Sequence, residues 1–237
     1  MEFAAWEPIY ERIVADFGFN PAGDRLARDY LDNRVQPFDL DRLDFEGRHV
    51  AIAGGSETLE GDFESVKNAE RTVAVSSAVT VFEKEDLRPD LVVTDLDGSP
   101  ETAASLSERG VPIAVHAHAD NVLALRTWLP KFDQQTIIGT TQVEPTRRVI
   151  NRGGFTDGDR AAFLADSLGA GSLSFPGWQF DDPTVDEIKR RKLLWAAKLL
   201  HCLEGLRGER FDLLDGWRGR LSDFPDGTDW ECSNTTR

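Results

Sequence analysis

Lysine is scarce in this chain: 6 of the 237 residues are Lys, against 21 Arg. Cysteine occurs twice, as Cys202 and Cys232, methionine once and histidine four times. Two thiols make no disulfide framework, and without a histidine cluster they build no zinc finger; we read a reducing cytoplasm. No apolar run approaches the ~18–20 residues needed to span a bilayer. The first nineteen residues alternate charged with apolar side chains, unlike a signal or transit peptide. Positive charge is in deficit as well: 27 Lys+Arg face 42 Asp+Glu, for a net charge of −15 and a pI near 4.7. That surface argues against non-specific binding to nucleic acid or anionic membrane. Acid excess with little lysine is also the pattern of a protein soluble in molar salt, because surplus carboxylates keep the surface hydrated and self-repelling. A GC-rich genome would favour Arg over Lys too; the expectation taken here is a salt-loving source.

What the chain does have is core-forming material. Hydrophobic residues make up 40%, with 14 Phe and 6 Trp, enough for one large or two small domains. Residues 2–16 and 22–35 carry apolar residues at three- and four-residue spacing and predict two amphipathic helices. Pro8 falls inside the first pattern and places the start of its regular part there. From residue 48 the pattern becomes strand, turn, helix. Short apolar segments predict buried parallel strands at 49–53, 72–75, 91–94, 112–115, 136–139 and 172–175. Helical stretches lie between several of them, at 101–109, 121–129 and 157–168. This alternation is that of an open, mostly parallel α/β sheet with helices on both faces. A long helix at 185–206 follows, capped either by Asp182 with Pro183 at the first helical position or by Thr184 with Glu187. Residues after about 219 are expected to form a loosely ordered tail, and the Asn234-Thr235-Thr236 sequon is incidental. The division is a helical segment 1–45, a Rossmann-like catalytic domain 46–180, and a C-terminal helix and tail 181–237.

Ligands of such a sheet bind beyond the carboxyl ends of its strands. The strand at 91–94 runs into Asp95-Leu96-Asp97-Gly98, and two carboxylates two residues apart point the same way. Gly98 would let the backbone turn sharply. A carboxylate pair aimed into a crevice suits Mg²⁺ shared with phosphate oxygens; it would equally suit a polar loop in which Asp97 or Ser99 caps the next helix. The strand at 112–115 ends in His116-Ala117-His118-Ala119-Asp120-Asn121. Its histidines could bind metal, orient phosphate or position a carboxylate, while Asp120 or Asn121 could simply cap a helix. An amidohydrolase-like zinc centre would need more histidines than His49 and His201 provide. Thr140, Thr141 and Gln142 follow the strand at 136–139 and could hold a phosphate or a base edge.

The densest segment is Asn151-Arg152-Gly153-Gly154-Phe155-Thr156-Asp157-Gly158-Asp159-Arg160. Gly153 and Gly154 permit close backbone approach, and Thr156 is a good N-cap for a helix carrying Asp157, Asp159 and Arg160. A helix N-terminus offers free N–H groups to an anion. Arg160, with Arg147, Arg148 and Arg152 nearby in sequence, would build the local positive charge that an acidic protein needs to admit a polyphosphate. Gly54-Gly55-Ser56 hints at a nucleotide loop, but the full G-x-G-x-x-G is absent.

These motifs, in this order, resemble those of the archaeal MptE-like family, the 6-hydroxymethyl-7,8-dihydropterin pyrophosphokinases. Pro89-Asp90-Leu91-Val92-Val93-Thr94 and the basic helix around Lys189–Lys198 fit as well, so the resemblance covers roughly residues 45–205. It implies a fold similar to thiamine pyrophosphokinases and Mg²⁺-dependent transfer of diphosphate from ATP to the hydroxymethyl of a reduced pterin, with release of AMP. By that resemblance Asp95 and Asp97 would hold metal. Asp120 would be a ligand or the acceptor of the hydroxymethyl proton, and His116, His118 and Asn121 would orient phosphate or metal. Thr141, Gln142, Gly153, Gly154, Phe155, Thr156, Asp157, Asp159 and Arg160 would line the substrate and ATP site. Phe155 and Trp178 could stack a pterin ring or simply pack the core. Two positions depart from the family pattern: Gly54-Gly55-Ser56-Glu57 stands where G-x-G-P-S is usual, and Gln179 where relatives tend to carry an acid.

The partners expected are therefore small molecules, ATP and a reduced pterin, with neither nucleic acid nor membrane; a homo-oligomer is left open. Folate and methanopterin remain alternative pathway products. An NAD(P)-dependent oxidoreductase on the same architecture is the first rival, with Glu70 about where a ribose-binding acid would fall. A non-catalytic nucleotide-binding protein is the second.

Overall fold

Continuous runs of Val, Ile and Ala become the centre of a parallel sheet in a computed structural model, which describes residues 1–221. Its strands are β1 (His49–Ala53), β2 (Arg71–Val75), β3 (Leu91–Thr94), β4 (Ile113–Ala117), β5 (Ile137–Thr141), β6 (Val149–Ile150) and β7 (Ser172–Ser174). The order across the sheet is β6-β5-β4-β3-β2-β1-β7, and every pairing is parallel. Both faces are covered, which is why the strands read as unbroken apolar runs rather than as alternation.

Successive side chains of each strand enter different cores. Val50, Ile52, Val73, Val75, Leu91 and Val93 face one, whereas Ala53, Ala74, Val92, Ile113 and Val115 face the other. The second core is closed by α2 (Pro21–Asp32), α3 (Leu59–Lys67), α4 (Val79–Lys84), α5 (Pro100–Glu108) and α6 (Val122–Trp128). The first is closed by α1 (Phe3–Phe17), α7 (Asp157–Ser167), α8 (Glu187–Arg207) and the single turn α9 (Arg218–Leu221). After β6 the chain changes face. Helix α7 packs across β3, β2 and β1 and returns the chain to the far edge, where β7 pairs with β1. Its N-terminus therefore lies at the carboxyl ends of the strands.

The N-terminal helices join both faces of this sheet. Trp6 and Ile13 of α1 are fully buried in the first core, while Ala27 and Leu31 of α2 are buried in the second. Helix α1 begins at Phe3, not at Pro8, which sits inside it. The missing proline donor falls early in the helix, and the buried Trp6, whose indole N–H donates to the Gln142 carbonyl at 2.8 Å, anchors the turn before it. Helix α8 is capped by neither expected residue. Asp186 accepts from the Lys189 backbone N–H at 2.7 Å, while Asp182 is taken up by the Thr184 N–H at 2.8 Å. Of the tail expected after about 219, Arg220 and Leu221 belong to α9 and Leu221 is buried against the first core; the remainder, with the sequon, lies outside the described residues. Cys202 is disulfide-bonded, contrary to the thiol state read from the sequence. No helix among the described residues is long and apolar enough to cross a membrane.

Candidate active site

Three carboxylates meet where β3 ends and α7 begins. Oxygens of Asp95, Asp97 and Asp157 lie within 4.8 Å of one another. The first two leave β3 on a turn whose middle residue, Leu96, is buried in the left-handed region at φ 73°. A non-glycine residue there is strained, and local bonds hold it: Leu96 N–H donates to Thr94 Oγ1 at 2.9 Å and Asp97 N–H to Asp95 Oδ1 at 3.1 Å. The sharp turn is thus at Leu96. Gly98 serves close approach instead, since a Cβ there would lie 2.4 Å from Ser76 Oγ. Ser76, itself at φ 47°, donates to Asp97 Oδ1 at 3.4 Å.

Asp157 comes from the first turn of α7, and its Oδ2 accepts the Asp95 backbone N–H at 3.1 Å. The loop before it is built to close on itself. Gly153 and Gly154 have φ of 91° and 94°, and a Cβ on Gly154 would sit 2.3 Å from Arg160 Cα. Asp159 is fully buried and accepts from the backbone N–H groups of Phe155 and Thr156 and from the Thr156 hydroxyl. Arg160, also buried, donates to the Gly154 and Phe155 carbonyls at 3.0 and 2.9 Å. The approach that Gly154 permits is therefore to this chain's own helix α7, and Asp159 and Arg160 shape the loop.

The electrostatics are those of a site short of positive charge. Burial and the neighbouring Asp95 push the Asp97 carboxyl up to about 6. Burial, then the charge of Asp95, also raises Asp157, against the pull of Arg160. Burial works against ionisation of Asp95, but hydrogen bonds from His118 and Asp97 outweigh it and leave that carboxyl below the ordinary range. Three oxygen donors that resist sharing negative charge could hold a hard cation, and their chemistry fits Mg²⁺.

The β4 motif supports the cluster from the side. His118 Nδ1 accepts the Asp120 backbone N–H at 3.4 Å, which leaves the proton of a neutral ring on Nε2, 3.4 Å from Asp95 Oδ2. Asn121 is buried and stitches two strand ends together, donating to the carbonyls of Asp95 at 2.8 Å and His116 at 2.6 Å. His116 is buried beside Thr140, and burial with the nearby charge of Arg160 holds its imidazole well below the usual range. Asp120 is exposed and stands apart from the three-carboxylate cluster. Thr141 and Gln142 are buried at the end of β5; Thr141 accepts from Val143 N–H, and Gln142 donates to Asp24.

Other expected residues are placed elsewhere. Arg148 pairs with Asp32 at 3.4 Å and Arg152 with Glu2 at 3.3 Å, so neither lends the pocket free charge. The cation whose charge does reach Asp97 is Lys189, in the first turn of α8. Trp178 fills the crevice at β1, where the strand order reverses: its indole donates to the Ile52 carbonyl at 2.8 Å, and Gly54 and Gly158 leave room for the ring. Gly54 and Gly55 approach Gly177 and Ser77, so this turn packs protein rather than a cofactor. Gln179 beside it is half-buried. Phe155 lies against Phe17 and Phe19 at the end of α1, with ring centroids 5.4 and 6.5 Å away. Glu70 sits at the start of β2, the far end of the sheet, bonded to Arg48 and to the His49 N–H. It therefore cannot take the ribose-binding role on which the oxidoreductase reading leaned.

Sequence reasoning missed Asp24, Leu96 and Ser76. A single acid in a helical first turn carries no signal of its own, and nothing in Leu or Ser announces a positive φ.

Comparison with known proteins shows what the chain is similar to. The model of a family described as 6-hydroxymethylpterin diphosphokinase MptE-like matches residues 25–184. A 6-hydroxymethyl-7,8-dihydropterin pyrophosphokinase of Methanothermobacter thermautotrophicus is 35% identical over 224 residues, covering 86% of this chain and 96% of its own. The protein of that name from Pyrococcus furiosus is 35% identical over 229 residues, with coverage of 86% and 95%. That from Methanocaldococcus jannaschii is 31% identical over 234 residues, with coverage of 86% and 96%.

Proposed function

The chain belongs to the 6-hydroxymethylpterin diphosphokinase MptE-like family, and on that premise we propose how its site transfers diphosphate from ATP to 6-hydroxymethyl-7,8-dihydropterin, with Mg²⁺ as the cation. The observation that carries the reading is the meeting of Asp95, Asp97 and Asp157 at the carboxyl end of the sheet. These three carboxylates would hold the metal, which when bound neutralises the ATP phosphates and aligns them.

The substrate hydroxyl oxygen attacks the β-phosphorus in line. The bond between that phosphorus and the oxygen bridging to the α-phosphate breaks, and AMP leaves. Such a transfer asks the protein for placement and charge more than for covalent chemistry. His118 and the Asp97 backbone N–H hold Asp95 as an oriented anion. Asn121 ties the ends of β3 and β4 so that the pair and the histidines keep one spacing. Lys189 adds positive charge near Asp97, on the side where the polyphosphate would lie. Asp120 is exposed and forms no side-chain hydrogen bond or ion pair among the described residues, and in this reading it would take the hydroxymethyl proton and pass it to water. Phe155 offers the ring an aromatic neighbour two residues from Asp157. Small molecules are thus the partners, and a reduced-pterin pathway is the setting, whether it leads to folate or to methanopterin.

Incubation with ATP, Mg²⁺ and 6-hydroxymethyl-7,8-dihydropterin in molar KCl, with nucleotides resolved by chromatography, tests this. AMP formed in step with a pterin diphosphate is the expected result. ADP would mean single phosphoryl transfer and would overturn the mechanism. ATP binding without turnover by folded protein would favour a binding-only role.

A further inference from the structure

Beside the acidic cluster, the turn 118–121 is gripped from outside the sheet by the first turn of α2. Asp24 is 3% exposed. Its Oδ1 accepts the Ala119 backbone N–H at 2.8 Å. Its Oδ2 accepts the Tyr10 hydroxyl at 2.6 Å and Gln142 Nε2 at 2.7 Å. One carboxylate thus joins α1, α2, the end of β5 and the turn that follows β4. The neighbouring residue sets how close the helix comes: a Cβ on Gly23 would lie 2.6 Å from Ala119 Cβ. No side chain larger than hydrogen fits there without moving one element.

We propose that Gly23 and Asp24 are positioning residues of the active site, clamping the 118–121 turn so that His118 meets Asp95. The inference rests on the functional reading above and extends it to the N-terminal helices. The chain of contact is short. Ala119 N–H is fixed by Asp24; His118, one residue earlier, places Nε2 3.4 Å from Asp95 Oδ2; Asn121, two residues later, holds the Asp95 carbonyl at 2.8 Å. Lifting the turn moves both supports of Asp95 together. A burial role alone would need neither the charged acceptor nor the glycine, since apolar residues of α2 already pack against the second core.

Gly23→Ala, alone and combined with Ala119→Gly, tests this. Alanine is the better helix former, so the single variant is not weakened within α2 itself. In the single variant kcat should fall about 100-fold, as a displacement near 1 Å can cause, with KM for ATP changing far less. Its Mn²⁺ affinity, read by electron paramagnetic resonance, should drop about tenfold, as is usual when a support of a metal ligand is lost. Ala119→Gly removes the opposing Cβ and should restore both quantities. Wild-type kcat and Mn²⁺ affinity in Gly23→Ala would overturn the proposal, as would a double variant no better than the single one. If the wild-type chain itself forms no AMP, the functional reading fails instead, and the Mn²⁺ series still decides whether the clamp holds Asp95.

Discussion

Asp157 accepts the backbone N–H of Asp95 at 3.1 Å across 62 residues of sequence. That bond joins the first turn of α7 to the end of β3. It also brings a third carboxylate to a pair that local sequence places together. Loop geometry at one end and helix geometry at the other thus converge on one cation-sized space.

Replacing any of these carboxylates by its amide should disable the site without unfolding the chain. Asp95→Asn, Asp97→Asn and Asp157→Asn are each expected to lower turnover by about 100-fold or more, because transition-state charge is then poorly met. Mn²⁺ binding should weaken in all three. Steady-state kinetics beside circular dichroism checks this; unchanged turnover in one variant removes that residue from the mechanism.

Metal binding should also depend on pH with a definite sign. The Asp97 carboxyl sits at about 6 without a cation, and Asp157 is raised too. Each is raised above its unfolded value, near 4. The contribution of Asp97 to the stability of the metal-free fold is therefore fully present below about pH 4 and lost as pH rises through about 6, and that of Asp157 has the same sign. Asp95, shifted down, contributes in the opposite sense. A divalent cation removes the repulsion and binds only the ionised groups. Added Mn²⁺ should raise the melting temperature near pH 7.5 and do little near pH 5; equal gains at both would contradict the assignment.

Gly158 is a packing requirement as well as part of the helix start. A Cβ there would lie 2.4 Å from Trp178 Cη2. Gly158→Ala should cost about 1–3 kcal/mol, the usual penalty of overpacking. Thermal melts should show the loss, and a Trp178→Phe background should reduce it.

We further propose that the acid excess, 42 against 27, suits the chain to high salt. Dialysis from molar KCl into dilute buffer should loosen the fold as surface repulsion loses its screening. Full retention of circular dichroism and activity at low salt would count against a salt-loving origin.

Much of this architecture lies in the sequence itself. The strand at Leu91–Thr94 was legible to the residue because a strand buried on both faces must be apolar at every position. The pair Asp95 and Asp97 was legible because a strand end followed by alternate acids aims them together. The capping role of the segment at Thr156 was legible for a similarly local reason. Which of these pieces meet was not. Tertiary structure alone brought Asp157 to the pair, left Asp120 in solvent, paired Arg148 and Arg152 with distant acids, and placed Asp24 behind His118. The physical reason is one of range. Pattern and propensity act over a turn or a strand, whereas these contacts depend on strand order and on the path of α7 beneath the sheet, which only the packing of both cores decides.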